Sequence, residues 1–157
     1  MSTFTQVYET YARPVYRFLF ALTGSEDQAE ELLQETFYRA FLHIDRFEGH
    51  CSLYTWLCTI GKNAWLKECR RNRRYEPFDQ TQILSPSVET VVLQAEEQAR
   101  LRRAVLELDE PYKEVFILHV FGQAKLKEIA QAHGKSESWA RVTYHRARAR
   151  ILEAIYK

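Results

Sequence analysis

Residues 126–147 read LKEIAQAHGKSESWARVTYHRA. Ile129 and Ala130 fall on the inner face of a short helix, over about 126–133, and a residue as small as Ala130 lets a second helix cross closely. Gly134 comes four residues later, where a left-handed backbone is cheap only for glycine. Ser136 then offers a side-chain oxygen to the free N–H groups of a second helix, over about 136–156. Two helices joined by so tight a turn form a helix-turn-helix. At about 100° per residue, Ala140, Tyr144, Ala147, Ile151 and Ile155 share the side expected to face a core. Ser138, Arg141, Val142, His145 and Arg146 share the other side, flanked by Trp139. Cations mixed with apolar groups suit a helix seated in the major groove, Arg meeting phosphate or guanine and Val a thymine methyl. Trp139 divides evenly between that face and packing on the preceding helix. Arg148 and Arg150 read as ordinary surface charge.

Upstream, Leu101, Val105 and Leu108 make an amphipathic stripe, which Val115, Phe116 and Leu118 continue. Between them Asp109-Glu110-Pro111 is a helix start, a capping acid followed by a proline in the first turn. Residues 75–95 change character. Pro77, Ser85, Pro86 and Ser87 interrupt any period, so this segment is a linker, with helical signal returning near Glu96. Before the linker, Tyr8, Tyr11, Val15, Phe18, Leu19 and Leu22 predict a helix over Val7–Leu22 that Gly24 stops. Ser25 and Gln28 make a capping box for a second helix, with Ala29, Leu32, Leu33, Thr36, Phe37, Ala40 and Phe41 on one face. A polar loop at 45–52 leads to a third, about Leu53–Arg74, whose Trp56, Leu57, Ile60, Ala64 and Trp65 read as core. No strand pattern competes. The expected fold is all-α: two small helical bundles joined by a flexible linker, at 1–76, 77–95 and 96–157.

The chain has 157 residues, 22 Lys plus Arg against 21 Asp plus Glu, and 46% hydrophobic residues. Five Gly and four Pro exclude a collagenous or low-complexity chain, and 13% aromatics argue against global disorder. No apolar run reaches the roughly 18–20 residues of a membrane span, and residues 1–5 lack the features of a signal peptide. Cys51, Cys58 and Cys69 have no metal-ligand spacing and read as reduced thiols, so a cytoplasmic location is expected. A net charge of +1 looks discouraging for a polyanion partner. Resolved along the chain it does not. Residues 1–44 hold three basic and six acidic side chains, 45–78 seven and four, 79–118 four and eight, and 119–157 eight and three. Two basic blocks each follow an acidic one, and local blocks set affinity for nucleic acid. In the first basic block, Lys62, Lys67, Arg70, Arg71, Arg73 and Arg74 face little acid beyond Glu68. Phe47, His50 and Tyr54 stand near Asn63, and aromatics with cations suit stacked single-stranded bases.

Several stretches, in order along the chain, then carry a family resemblance. Val15–Phe18, Leu22–Gly24 and Ala29–Phe37 look like the opening of region 2 in bacterial extracytoplasmic-function (group IV) sigma factors, as do Phe47–Gly49, Ser52–Leu57 and Ile60–Asn63. Leu101–Ala104, Leu108, Glu114–Phe116, Glu128–Ala130 and His145–Arg148 resemble region 4. The resemblance runs over nearly the whole chain, in order. It implies a factor that binds core RNA polymerase, through the clamp helices of its largest subunit and through the flap, and directs it to promoter DNA. Glu31, Gln34, Glu35 and Phe37 would grip the clamp helices. Phe47, His50, Tyr54, Lys62, Asn63, Arg70, Arg71 and Arg74 would meet a melted minus-ten element. Ser136, Ser138, Trp139, Arg141, Val142, His145 and Arg146 would read the minus-thirty-five duplex. An anti-sigma factor, often membrane-anchored, would hold the free protein; no cofactor and no direct membrane insertion are implied. This chain departs from the family pattern at Lys67, at Gln123 and Lys125 before the helix-turn-helix, at Lys135 in its turn, and at Trp139, Val142 and Thr143.

The rival reading is a stand-alone helix-turn-helix regulator whose first bundle serves as a dimerisation or effector domain. An enzyme finds no support: there is no ordered Ser/His/Asp set, no phosphate-cradling Gly loop and no paired metal ligands, and His43, His50, His119, His133 and His145 are scattered.

Overall fold

The computed structural model describes residues 3–75 and 89–156, with side chains up to Asn72 and again from Glu96. All regular structure among them is helical. Helix α1 spans Phe4–Thr23. It starts ahead of the apolar period because Thr3 and Gln6 form a capping box: the Gln6 N–H donates to Thr3 Oγ1 (3.2 Å) and the Thr3 N–H to Gln6 Oε1 (3.0 Å). It ends at Gly24, left-handed at φ 69°, whose N–H donates to the Phe20 carbonyl at 2.8 Å. Helix α2, Glu26–His43, is capped by Ser25 Oγ, which accepts from the Gln28 N–H at 3.2 Å. The reciprocal half of the expected box is replaced, since the Ser25 N–H donates to Thr23 Oγ1 at 3.2 Å. Helix α3, Leu53–Tyr75, opens on Ser52, whose Oγ accepts from the Thr55 N–H.

These three helices share a core of Val15, Phe18, Leu19, Leu22, Leu32, Leu57 and Trp65. Gly61 allows α3 to lie against both partners. A Cβ there would stand 3.1 Å from Leu19 Cδ2 and 3.1 Å from Thr36 Oγ1. Trp56 is half-buried against Phe47, with ring centroids 5.3 Å apart.

Helix α4, Glu89–Leu106, begins seven residues before the expected point. Thr90, Val91 and Val92 delay a sequence-based reading, but β-branched residues cost only about 0.5 kcal/mol each in a helix. The remainder of the expected linker, 77–88, lies outside the described residues. Helix α5, Tyr112–Phe116, carries straight into a wide π turn at Ile117–Phe121. The acid that caps it is Glu110, whose Oε1 accepts from the Glu114 N–H (3.1 Å), and Pro111 stands at the cap itself. Helices α6, Leu126–Ala132, and α7, Glu137–Ile155, complete the second bundle.

Its core of Val105, Val115, Phe116, Ile117, Leu118, Ile129, Ala147 and Ile151 is continuous with that of the first. Burying each such aliphatic or aromatic side chain is worth about 1.5–3 kcal/mol. The bundles meet where α1 and α3 pack on the π turn and α6. At that seam Gly122 is buried, and a Cβ on it would lie 2.8 Å from the Leu118 carbonyl oxygen and 3.4 Å from Phe18 Cδ1. Among the described residues no helix is long and apolar enough to cross a membrane.

Candidate nucleic-acid interface

The helix-turn-helix is built as its sequence predicts. Gly134 makes the turn at φ 65°, and Ser136 Oγ accepts from the Trp139 N–H at 3.1 Å to cap α7. Ala140, Ala147 and Ile151 are buried, with Tyr144 and Ile155 half-buried beside them. Ser136, Ser138, Arg141, Val142, His145 and Arg146 are all exposed. Val142 is 47% exposed, an apolar group left in water on a face otherwise polar. Arg141 meets Glu137, one turn back at 3.2 Å, an exposed pair worth a few tenths of a kcal/mol and easily exchanged for a phosphate or base. Trp139 is half-buried with its ring 5.2 Å from that of His133, so it braces the turn as well as bordering the outer face. Arg150 lies over the Tyr112 ring at 4.2 Å and ties α7 to α5, a role beyond surface charge. Thr143, a departure from the family pattern, is buried. The other departures just before α6 are absorbed by the backbone. Gln123 takes a left-handed φ of 57°, and His119 Nδ1 contacts the Ala124 carbonyl oxygen at 2.9 Å. Lys125 stands at the α6 cap with no side-chain bond to it.

Region 45–72 is less uniform. His50 is exposed and paired with Glu48 at 2.9 Å, and Asn63, Lys67, Arg70 and Arg71 are exposed. Arg71 reaches Glu68 at 3.2 Å. The side chains of Arg73 and Arg74 lie outside the described residues. Phe47 rests on Trp56. Tyr54 and Lys62 turn inward: the Tyr54 hydroxyl donates to the Gly122 carbonyl at 2.8 Å, and Lys62 is 3% exposed with its Nζ on Glu114 Oε1. The expectation that Lys62 faces little acid is therefore corrected. Its partner comes from the second bundle.

On α2, Glu31 and Gln34 are exposed, and Glu35 is half-buried and paired with Arg39 at 2.6 Å. Phe37 is 4% exposed, edge-on to Phe4 and Tyr8, so it supports the helix from beneath. The aromatic surface beside it belongs to Tyr38 and Phe41, 64% and 57% exposed.

Two family models match in the order of the two bundles: Sigma-70 region 2 over residues 7–75 and Sigma-70, region 4 over residues 98–151. The ECF RNA polymerase sigma factor SigM of Bacillus subtilis is 31% identical over 157 residues, covering 98% of this chain and 95% of that relative. The chain belongs to the extracytoplasmic-function sigma factors. RNA polymerase sigma factor YlaC of the same organism is 30% identical, covering 96% of this chain and 91% of its own length. The fold matches that of the sigma factor RpoE in its complex with the anti-sigma factor NepR from Bartonella quintana. That match has a TM-score of 0.60 at 24% identity and covers 98% of this chain and 96% of that one. CnrH, solved with the cytosolic domain of CnrY, matches with a TM-score of 0.59 at 21% identity, over 96% and 85% of the two chains. A sigma factor directs transcription initiation, and the stand-alone regulator reading is not favoured.

The contacts missed from the sequence are those that join regions 2 and 4. Glu114 is approached by Lys62 from α3 and by His133 Nε2 from the helix-turn-helix turn. Burial alone would raise its carboxyl, but the His133 contact and the Lys62 ammonium outweigh burial and hold it at about 2. Thr55 Oγ1 donates to Glu128 Oε2 at 3.2 Å. Arg102 Nε donates to the Leu22 carbonyl at 2.6 Å and Nη2 to the Ala21 carbonyl at 3.3 Å, a cation on the C-terminal end of α1, with burial lowering its pKa. One signal was available. Lys62 sits four residues from Cys58 and Leu66 and three from Trp65, all buried, so helical spacing places it on the inner face of α3.

Proposed function

We propose that this sigma factor binds core RNA polymerase through α2, using Glu31, Gln34 and Glu35 with Phe37 as their support. Region 2 then melts and holds the minus-ten element with Phe47, His50, Tyr54, Lys62, Asn63, Arg70, Arg71 and Arg74. Region 4 reads the minus-thirty-five duplex with Ser136, Ser138, Trp139, Arg141, Val142, His145 and Arg146. The observation that carries the reading is the division of α7, with Ala140, Thr143, Ala147 and Ile151 buried and every proposed reading residue but Trp139 exposed. An outer face holding both Arg141 and Val142 is equipped for guanine or phosphate and for a thymine methyl. The acidic surface of α2 supports a protein partner, because a carboxylate-rich face repels DNA.

The protein acts in the cytoplasm and is not itself an enzyme, the catalysis of initiation belonging to the polymerase. The complex of RpoE with the anti-sigma factor NepR supports an anti-sigma factor as a further partner. The test is footprinting of a reconstituted complex with core polymerase on genomic promoter fragments. Permanganate-reactive thymines at minus ten, together with protection one to two turns upstream, are expected. Protection of a palindrome by the protein without polymerase would favour the stand-alone regulator instead.

A further inference from the structure

The first turn of α1 carries an aromatic contact that lies outside both proposed DNA surfaces. Thr3 and Gln6 close a capping box over it, so Phe4 is held in regular helix from its first residue. The Phe4 ring meets two rings of α2 edge-on, Phe41 at 5.3 Å and 74° and Phe37 at 6.2 Å and 72°. Tyr8, one turn along α1, meets Phe37 at 4.9 Å. The two α2 rings have opposite surroundings. Phe37 is 4% exposed and fixed by the core, whereas Phe41 is 57% exposed. Among the described residues, the one ring packed against Phe41 is that of Phe4. Edge-on rings attract beyond the area they bury, so Phe4 restrains a side chain that water alone would leave free to turn.

Spacing puts Phe41 on the polymerase side of α2. Gln34, Tyr38 and Phe41 follow Glu31 at steps of three or four residues, and Glu35 and Leu42 lie beside them. Tyr38 and Leu42 are 64% and 50% exposed, so the carboxylate end of this face runs on into an aromatic end. A protein surface that takes the carboxylates meets Phe41 as well.

We propose that Phe4 is a positioning residue for core polymerase: from the capped first turn of α1 it fixes the Phe41 ring in the orientation in which the α2 face docks. The proposal rests on the α2 reading given above. Ordering a side chain at an interface weakens binding, and a ring fixed in advance avoids that loss. Phe4 acts through Phe41 and not by touching the polymerase.

Equilibrium binding of the full chain, carrying a dye at its C-terminus, to bacterial core RNA polymerase tests this, with helix content followed by circular dichroism. Phe41→Ala is expected to weaken binding at least threefold. Phe4→Ala should weaken it about threefold to tenfold, the scale of ordering one side chain. The deciding readout is the pair. In a Phe41→Ala chain, Phe4→Ala should change affinity by less than twofold, because no ring remains for Phe4 to orient. A merely structural role would add its own loss to that of Phe41→Ala, and losses that multiply in full overturn the proposal. So does Phe4→Ala that keeps its helix content and binds as the parent does. If Phe4→Ala loses helix content, Thr3→Ala decides, since it uncaps the turn and alters no ring. It should weaken binding about twofold, and unchanged binding overturns the proposal. If Phe41→Ala binds as tightly as the parent, Phe41 lies off the interface and the proposal falls, while Glu35→Lys judges the α2 reading separately.

Discussion

Replacing Glu114 by Gln removes the carboxylate that Lys62 and His133 share, and the consequence for stability can be worked through. The carboxyl is held at about 2, against an ordinary 4.5. At about 1.4 kcal/mol for each tenfold change in proton affinity, that gap corresponds to about 3 kcal/mol. Because the value is depressed on folding, the contribution is present in full above about pH 4.5 and is lost as pH falls toward about 2. At pH 3 the unfolded chain has bound the proton and the folded chain mostly has not, so roughly 1.4 kcal/mol remains. Urea unfolding of parent and Glu114→Gln at pH 7 and pH 3 measures both quantities. The variant should be less stable by about 3 kcal/mol at pH 7, and the difference should fall to less than half at pH 3. A difference below about 1 kcal/mol at pH 7, or one that does not change between the two pH values, would refute the placement of Glu114 between Lys62 and His133.

Four other substitutions probe three separate parts of the molecule. Arg141→Ala and Arg146→Ala should each weaken binding to the upstream promoter duplex by about 1–3 kcal/mol if bidentate to guanine, measured by titration of the polymerase complex; unaltered affinity would remove that residue from the groove. Glu35→Lys should reduce retention of core polymerase in a pull-down while helix content by circular dichroism stays that of the parent, and equal retention would take α2 out of the polymerase interface. Gly61→Val pushes a branched side chain into Leu19 Cδ2 and Thr36 Oγ1, each 3.1 Å from the Cβ position. Overpacking of this kind costs about 1–3 kcal/mol and should lower the melting temperature by about 3–10 °C; an unchanged melting curve would contradict the tight crossing of α1, α2 and α3.

Local signals in the sequence carried most of the fold. Gly24, Gly134, Ser25 and Ser136 each act within four residues, and all four occupy the turn or cap that their chemistry predicts. The apolar stripes of α1 and α7 likewise turn inward, except that Tyr8, at the outer end of the α1 stripe, is 44% exposed. Readings faltered where the deciding partner is distant. Lys62 looked like a free cation in a basic helix, and only the approach of Glu114, 52 residues away, reveals it as a buried ion pair. Tyr54 reads as a stacking aromatic until its hydroxyl meets Gly122, 68 residues on. Arg102 carries no local hint that it will bind carbonyls of α1 some 80 residues earlier. Phe37 shows a different lesson. It lies on the apolar face of α2, where Phe4 and Tyr8 pack edge-on against it, and the family resemblance also assigns it to the polymerase interface. Its period predicts the burial, because burial follows the face on which a residue sits.

The central claim is that this protein gives core polymerase its promoter choice. Run-off transcription tests it most directly: purified chain, bacterial core RNA polymerase and linear fragments spanning the genome's promoters. The account predicts discrete transcripts that start at defined sites, require the added chain and vanish from fragments whose minus-thirty-five or minus-ten element is scrambled. Transcripts no different from those of core polymerase alone, across all fragments, would contradict it.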